Sequence, residues 1–387
     1  MSVPNALFYA LLRARWDESA WSEAAQIIQE GSIDWPAFLH LAKARGLAPL
    51  IYSVTRDHAL LPPQVDRALQ AHYVHNAARS TLLFDTLHAI LDAFEREGVQ
   101  VILLKGAALA ESVYANPALR PMMDLDLLIR RDSLDAATRA LTDLGFAPDR
   151  REPRRGAMQA FESQMRFHRP DLTDSLVELH WSLLDSPYYQ ERLDEAWFWQ
   201  SARPVRDSHA HTLGPEAQII HLSAHMLLHH GRTIWLGMHD IAEVCYHEKD
   251  TLDWALLLAK ARAMHLVLPL QHILPQVKRG WRASIPDAVL QDLQRLPASD
   301  DERRAFHWLT RQRTSEAHHF LADLLTTPSA RQRWRFALAN IFPSPVYVRE
   351  RYGMKTPWLT PYAYLRRWLR GMAHLRHLLR PPQPFRE

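Results

Sequence analysis

Asp124 and Asp126 are the residues whose type and spacing most directly suggest chemistry, and they lie in the apolar run DLDLLI. Alternate side chains of a β-strand point to the same face, so the two carboxylates would project together while Leu125 and Leu127 point into a core. Adjacent carboxylates repel each other, and a divalent cation such as Mg²⁺ removes that repulsion. The spacing therefore predicts a strand that presents a metal-binding pair of aspartates.

The residues upstream of this pair predict the elements that position it. Residues 101–104 are apolar and predict a strand, which is followed by a turn at Lys105-Gly106. A short helix continues from the turn as far as Tyr114. Gly106 would let the backbone approach a phosphate closely, with amides at the helix N-terminus donating to it. Lys105 would either place its charge on a bound phosphate or lie at the surface after the strand.

A second polar strand carries a further carboxylate. Residues 175–181, SLVELHW, alternate cleanly, so that Glu178 and His180 share one face and the opposite face is apolar. Such alternation is typical of a strand that lines a cleft. His180 would orient Glu178 or touch the substrate, or else serve as a structural hydrogen-bonding histidine. Residues 159–168 predict the neighbouring strand.

Together these segments resemble the polymerase-β-like nucleotidyltransferases. The strand, turn, helix and Asp-x-Asp strand follow one another as LLKGAAL, then Tyr114, then RPMMDLDLL. This sequence of residues is similar to that of one bacterial branch, the poorly characterised nucleotidyltransferase family proteins. The resemblance is specific at residues 101–129, moderate at 176–181 and loose in the helical flanks. It implies an enzyme that moves a nucleoside monophosphate from an NTP to a hydroxyl-bearing acceptor and releases pyrophosphate.

The resemblance also implies a role for each site residue. Asp124 and Asp126 would be catalytic ligands of Mg²⁺ or Mn²⁺, which they hold against the triphosphate. Glu178 is the candidate for the third carboxylate of this fold, which lies near the attacking hydroxyl and can act as general base. Lys105 and Gly106 would hold the phosphates. The acceptor stays open among a small molecule, a sugar, a peptide and a protein, and nucleic acid ranks below these because long basic tracts are absent from the sequence.

The phosphate turn departs from the family pattern. The superfamily usually has Gly-Gly or Gly-Ser there, whereas Ala107 follows Gly106 in this chain and supplies no hydroxyl. This departure supports an alternative, a catalytically inactive nucleotide-binding or scaffold protein that keeps the fold. The three converging acids argue against that alternative. Arg120, like His180, is a candidate nucleotide-binding residue: it would contact phosphate or brace the aspartates, or pair with a carboxylate as an ordinary loop arginine.

Three histidines, His221, His225 and His229, recur at four-residue spacing and would line one helix face. Two of them with Asp240 could form a zinc site and make the chain a zinc hydrolase, but His221 and His229 lie roughly 12 Å apart and cannot share one ion. The family is similar here, with a helix carrying His and then Gly, followed by Trp and Asp. The resemblance implies a helical wall closing the cleft, with His225 or His229 contacting the nucleotide or the acceptor. Helix packing alone would also explain these histidines.

The predicted fold class is α+β and helix-rich, with a polymerase-β-like nucleotidyltransferase core built on a small mixed sheet between two helical regions. We expect an N-terminal helical region at 1–80, the core at 81–205, a C-terminal helical domain at 206–345, and an irregular segment with a basic amphipathic helix at 346–387. Periodicity in the sequence predicts an irregular stretch at 341–361 and helices over 64–97, 134–144, 216–230, 232–247, 252–263, 265–278, 285–295, 301–325, 328–340 and 362–380.

The composition is that of an ordinary globular protein. The 387 residues are 47% hydrophobic and 23% charged, and the net charge of +3 is not the balance of a nucleic-acid-binding protein. The single Cys245 excludes an internal disulfide and a cysteine-rich metal site. We expect a cytoplasmic enzyme, because the sequence shows neither a secretory signal pattern nor an apolar run of about 18 residues. The basic helix over 362–380 would pack on its own domain, or contact an anionic membrane surface or a partner protein; the oligomeric state is left open.

Overall fold

The structure of the protein is a computed structural model that describes residues 3–114, 116–149, 161–170, 176–310, 316–327, 329–354 and 356–378. Helices dominate these residues, and the strands among them form one mixed sheet. The helix-rich α+β class predicted from the sequence is therefore confirmed.

Seven strands of the described chain form the sheet: β1 (Val101–Leu103), β2 (Asp124–Ile129), β3 (Ala147–Pro148), β4 (Gln164–His168), β5 (Leu176–His180), β6 (Arg203–Pro204) and β7 (His211–Thr212). Their order is β3-β4-β5-β2-β1-β7-β6. The central pair, β2 and β5, runs parallel, and each of these strands has an antiparallel neighbour on its other side, β1 and β4 respectively. The two strands that carry the acidic side chains, β2 and β5, therefore lie side by side at the middle of the sheet.

The strands around the Asp-x-Asp run agree with the sequence pattern, whereas one predicted strand is shorter than expected. The strand predicted over 159–168 begins only at Gln164, residues 161–163 precede it, and residues 159–160 lie outside the described residues. The loop expected between this strand and β5 also lies mostly outside them.

Five helices precede the sheet: α1 (Val3–Arg13), α2 (Ser19–Glu30), α3 (Trp35–Ala44), α4 (Ala48–Thr55) and α5 (Pro63–Arg96). The last confirms the long helix predicted over 64–97. Four helices lie between or directly after the main strands, namely α6 (Lys105–Ser112), α7 (Leu134–Asp143), α8 (Pro187–Gln190) and α9 (Glu195–Gln200). The helix α6 links β1 to the loop that enters β2, so it positions the start of the Asp-x-Asp strand.

The rest of the described chain is helical: α10 (Pro215–Ala224), α11 (Trp235–His247), α12 (Trp254–Ala263), α13 (Val267–Trp281), α14 (Asp287–Arg295), α15 (Asp300–Thr310), α16 (Glu316–Thr326), α17 (Ala330–Ile341), α18 (Pro345–Arg351) and α19 (Thr360–Leu378). Between α10 and α11, His225–His229 forms a π-helical turn.

Two of these predicted segments differ in detail from the structure. The single helix expected over 216–230 is α-helical only as far as Ala224, because the backbone then widens to an i→i+5 hydrogen bond from the amide of His230 to the carbonyl of His225. The stretch over 341–361 is not wholly irregular, because it contains α18. Its Pro345 opens the helix, where a missing amide costs no hydrogen bond.

The sheet lies between two clusters of buried apolar side chains. The first joins helices α1–α4 to α10–α13 and reaches the sheet through Ile102 and Leu128. The second packs the C-terminal half of α5 and α7 on the opposite face, which carries Leu103 and Leu127. The helices before residue 60 thus share one core with α10–α16; the domain boundaries given above stay a prediction. Among the described residues, no helix has the length and apolarity needed to cross a bilayer.

Candidate functional site

The site is built on the parallel pair β2 and β5. Asp126 pairs with Glu178, and Leu128 pairs with His180. Because the strands are parallel and side chains alternate, Asp126, Glu178 and His180 emerge on one face. All three are nearly buried, at 3%, 5% and 3% exposure, and their ligand atoms lie within 4.8 Å of one another. The structure thus brings together three of the residues that the sequence singled out.

Lys105 supplies the positive charge for this group. Its Nζ donates to Oδ1 of Asp126 at 2.7 Å and lies 3.9 Å from Oε2 of Glu178. His180 donates from Nε2 to the same Asp126 oxygen at 2.9 Å. The Lys105 side chain is only 15% exposed, so this residue is not the surface lysine that the sequence left open. It turns into the site from a left-handed backbone conformation, with φ of +48°.

Glu178 is held from its other side by β4. Nε2 of Gln164 donates to Oε2 of Glu178 at 3.0 Å, and Nε of Arg166 lies 2.7 Å from Oε1. Sequence reasoning missed both residues. The signal was present, because Gln164, Arg166 and His168 alternate with apolar residues in QMRFH and so share one face of the strand. These contacts fix the orientation of the Glu178 carboxylate.

Asp124 stands apart from the tight group. It begins β2, is partly exposed, and lies outside the set formed by Asp126, Glu178 and His180. Burial and the neighbouring charges of Asp126 and Glu178 raise the pKa of Asp124 to about 6. Burial alone would also raise the pKa of Asp126, but the Lys105 ammonium and His180 hold that pKa well below its usual range. The two aspartates therefore have opposite electrostatic environments.

Gly106 lies directly beneath the loop that leads into β2. A Cβ at this position would meet Cβ of Met122 at 3.0 Å and Nη1 of Arg120 at 3.3 Å. The glycine is thus required for close packing of the loop on α6, a reason that differs from the predicted approach to a phosphate. The N-terminus of α6 has no side-chain cap, since Leu104 precedes it. Its backbone amides are the kind of donors that bind anions.

Arg120 is engaged in a buried ion pair with Asp240 on α11. Its Nη2 donates to Oδ2 at 2.8 Å and its Nε donates to Oδ1 at 3.1 Å, while the Tyr114 hydroxyl donates to Oδ1 at 2.8 Å. Of the roles considered for Arg120 from the sequence, its contacts match that of a loop arginine paired with a carboxylate. Its charge still helps to lower the pKa of Asp124 against the effect of burial. Asp240 is thus engaged with Arg120 and Tyr114, and it belongs to neither group of the described residues that could hold a metal ion, so the structure does not support the zinc alternative built on two helix histidines and Asp240.

The histidine segment after α10 does border the site, as predicted. One small cavity is lined by His180 and Gln164 together with His225, His229 and Asp185. His229 donates from Nδ1 to Oδ2 of Asp185. The sequence did not point to Asp185, which follows β5 in a loop without periodicity.

His221 lies deeper, one turn before His225. It is 3% exposed, and neither ring nitrogen has a hydrogen-bond partner within the described part of the chain. Burial and the charges of Lys105 and His180 lower the pKa of His221 to about 3, and burial with Lys105 likewise lowers the pKa of His225. Both imidazoles are therefore neutral at pH 7.

The donor set of the site fits a hard divalent cation. Asp124, Asp126 and Glu178 offer carboxylate oxygens, the ligands that Mg²⁺ and Mn²⁺ prefer. The position of the Lys105 ammonium, 2.7 Å from one carboxylate and 3.9 Å from another, shows that this face of the sheet favours a positive charge. The residues present thus fit the cation that the sequence resemblance implies.

Comparison with known families agrees with this geometry. A family model described as "Uncharacterised nucleotidyltransferase" matches residues 31–280, a range that includes β2, β5 and the histidine segment. No curated protein matches the chain, and no solved structure does. Since the match extends over more than half of the sequence, the chain belongs to this family of uncharacterised nucleotidyltransferases.

Proposed function

We propose that this protein is a metal-dependent nucleotidyltransferase with a polymerase-β-like core, which moves a nucleoside monophosphate from an NTP to a hydroxyl-bearing acceptor. The observation that carries the proposal is the pairing of Asp126 with Glu178 on adjacent parallel strands. Both side chains are nearly buried, and both lie close to the ammonium group of Lys105. Buried carboxylates are costly unless charge neutralises them. A purely structural role would not need three acids on one face.

Each acid has a defined task in this reaction. Asp124 and Asp126 would hold Mg²⁺ or Mn²⁺, which when bound neutralises charge on the triphosphate. Glu178, oriented by Gln164 and Arg166, would accept the proton of the acceptor hydroxyl. The acceptor oxygen forms a bond to the α-phosphorus as the bond from that phosphorus to the bridging oxygen of the β-phosphate breaks, and pyrophosphate leaves with the electron pair.

Lys105 and the start of α6 would bind the phosphates. The uncapped helix N-terminus offers backbone amides and the positive end of the helix dipole. Lys105 would move its ammonium from Asp126 to a phosphate oxygen as the nucleotide enters. This lysine compensates for the hydroxyl that the family turn usually supplies and that Ala107 lacks.

A nucleotide-binding or scaffold protein without turnover is the second candidate. It is favoured by the fact that Lys105, His180, Gln164 and Arg166 already satisfy Asp126 and Glu178. In that case the carboxylates would be a closed, charge-balanced network that needs no cation.

The test uses the pure protein with an NTP labelled at either the α- or the γ-phosphate, Mg²⁺ or Mn²⁺, and cell extract as the source of acceptor. Nucleotidyl transfer predicts an acceptor that carries α-label and never γ-label, with γ-label recovered in pyrophosphate. Transfer of γ-label to the acceptor would instead show a kinase. Binding of the NTP without movement of either label would favour the scaffold.

A further inference from the structure

We propose that His225, His229 and His230 form a binding site for a transition metal ion of the Zn²⁺ type, separate from the carboxylate group and independent of the proposed transferase function. One ring nitrogen from each histidine lies within 4.8 Å of the others. The rings of His225 and His229 stack at 4.7 Å, and His230 stands perpendicular to both at 4.8 Å and 4.9 Å.

The π-helical turn is what brings these three side chains together. In an α-helix, residue i+5 is rotated by about 140° from residue i, so His230 would face away from His225. Here the hydrogen bond from the amide of His230 to the carbonyl of His225 spans five residues and turns His229 and His230 to the same side. Such π-turns are rare and frequently lie at functional sites. The π-helical backbone thus brings the side chains of His225, His229 and His230 to one side of the helix.

A carboxylate next to the group supports a metal role. The Nδ1–H of His229 donates to Asp185, which also accepts from the Ser163 hydroxyl. A neutral imidazole that donates from Nδ1 keeps a lone pair on Nε2, and metal-bound histidines are commonly oriented by a carboxylate in this way. Ligand nitrogens around a tetrahedral zinc are roughly 3.4 Å apart. Small rotations of the three rings would therefore bring their nitrogens to the separation that a tetrahedral zinc requires.

The proposed metal would lie beside the transferase face. His225 and His229 line the same cavity as His180 and Gln164. Three imidazoles leave a fourth position for water or for a ligand atom.

The test is calorimetric titration of Zn²⁺ into the full chain, stripped with EDTA and carrying Asp126→Asn to disable the carboxylate group. We expect one Zn²⁺ per chain. Adding His230→Ala, at an exposed position that folding tolerates, or His229→Gln should weaken binding at least about 100-fold, and Asp185→Asn should weaken it about 10- to 100-fold. His221→Gln, one turn away, should leave binding unchanged.

Two results would overturn this proposal. One is absence of stoichiometric Zn²⁺ from the Asp126→Asn chain, which would assign any wild-type binding to the carboxylate group. The other is equal affinity with and without His229 and His230. Circular dichroism of each variant separates lost ligands from lost folding.

We further infer, from a different observation, that the surface over residues 334–369 binds anionic lipid. Ten of the fifteen large apolar side chains exposed in the described chain lie in this segment, and Trp334 and Trp358 are 70% and 77% exposed. Residues 329–370 contain eight Arg and one Lys against a single Glu. Aromatic and aliphatic side chains interleaved with Arg are typical of proteins that lie on anionic bilayers.

The end of α17 and the middle of α19 are in contact within this segment. The indole of Trp368 on α19 donates to the carbonyl of Ile341 at the end of α17, and its ring packs edge-on against Phe342 at 5.4 Å. Arg367 donates to the carbonyl of Asn340. Phe342, at the end of α17, and Trp368, on α19, are thus neighbouring exposed side chains.

Flotation with phosphatidylserine-containing vesicles, compared with pure phosphatidylcholine, tests this inference. We expect binding to the anionic vesicles only, weakened severalfold by 0.5 M salt and by Trp334→Ala with Trp358→Ala. Leu82→Ala, 69% exposed on α5, should have no effect. Equal binding to neutral vesicles, no binding to either, or unchanged binding by the tryptophan variant would overturn it. So would concentration-dependent self-association that the same tryptophan variant abolishes.

Discussion

Lys105 is the residue on which the electrostatics of the site depend. Replacing it by Met would leave Asp126 and Glu178 buried without their cation, and breaking a buried ion pair costs about 3 kcal/mol or more. We expect the free energy of unfolding in EDTA to fall by that amount. Mn²⁺ should recover part of the loss, because it takes over the neutralisation. Urea denaturation with and without Mn²⁺ measures both effects.

Lys260 provides the matched control for this variant. It pairs with Asp194 at 2.7 Å, but the two side chains are 25% and 41% exposed. Solvent screens such a pair, so Lys260→Met should cost less than about 1 kcal/mol. Equal losses in the free energy of unfolding of the two variants would show that the buried Lys105 pair contributes no more to stability than an exposed ion pair.

The lowered pKa of His221 predicts how the stability of the chain depends on pH. Its pKa is lowered to about 3 in the folded chain, whereas an unfolded histidine has a pKa near about 6.5. Between these values the unfolded state binds the proton first, so stability is full above about pH 6.5 and is lost as the pH falls. From pH 7 to pH 5, wild type should lose about 2 kcal/mol more than His221→Gln. Parallel curves for the two proteins in this window would contradict a neutral, buried His221.

At the scale of elements, the pair of Arg120 and Asp240 joins the loop before β2 to α11. Asp240 is fully buried and Arg120 is 13% exposed. Asp240→Asn should lower the free energy of unfolding by about 3 to 5 kcal/mol, because it leaves a buried guanidinium uncompensated. Glu248→Gln, which disrupts the more exposed pair with Arg203, should cost less than about 1 kcal/mol. Thermal unfolding of both variants checks this, and a mild effect of Asp240→Asn would mean that water reaches the pair.

The elements that the sequence predicted well are those whose pattern is local. Alternation predicted the shared face of Glu178 and His180 and of the two aspartates, and helix starts follow equally local rules: Asp34 and Asp253 each accept from the amide three residues on. The partner of Arg120 could not be predicted in this way, because Asp240 lies 120 residues along the chain. Nor could the π-turn, since histidines spaced by four fit an ordinary α-helix until the backbone widens.

At the scale of the whole molecule, the N-terminal helices pack on α11, the helix that carries Asp240. Phe8 on α1 is fully buried, stacks on Phe38 at 4.6 Å and meets Trp235 of α11 edge-on at 6.1 Å. Phe8→Ala should therefore destabilise the chain by about 4 kcal/mol. Leu82→Ala at an exposed position should change stability by less than about 0.5 kcal/mol. Denaturation followed by tryptophan fluorescence compares them; a Phe8→Ala effect as small as that of Leu82→Ala would mean that the two helical regions fold separately.

The proposed nucleotidyl transfer depends on Asp126 and Glu178, and its most direct test is transfer of α-labelled nucleotide by variants of these two residues. We expect Asp126→Asn and Glu178→Gln to lose transfer by about a thousandfold, because each acts as part of one unit. Asp57→Asn, whose carboxylate is 77% exposed beyond α4, should keep the wild-type rate. Transfer by Asp126→Asn at the wild-type rate would contradict the account.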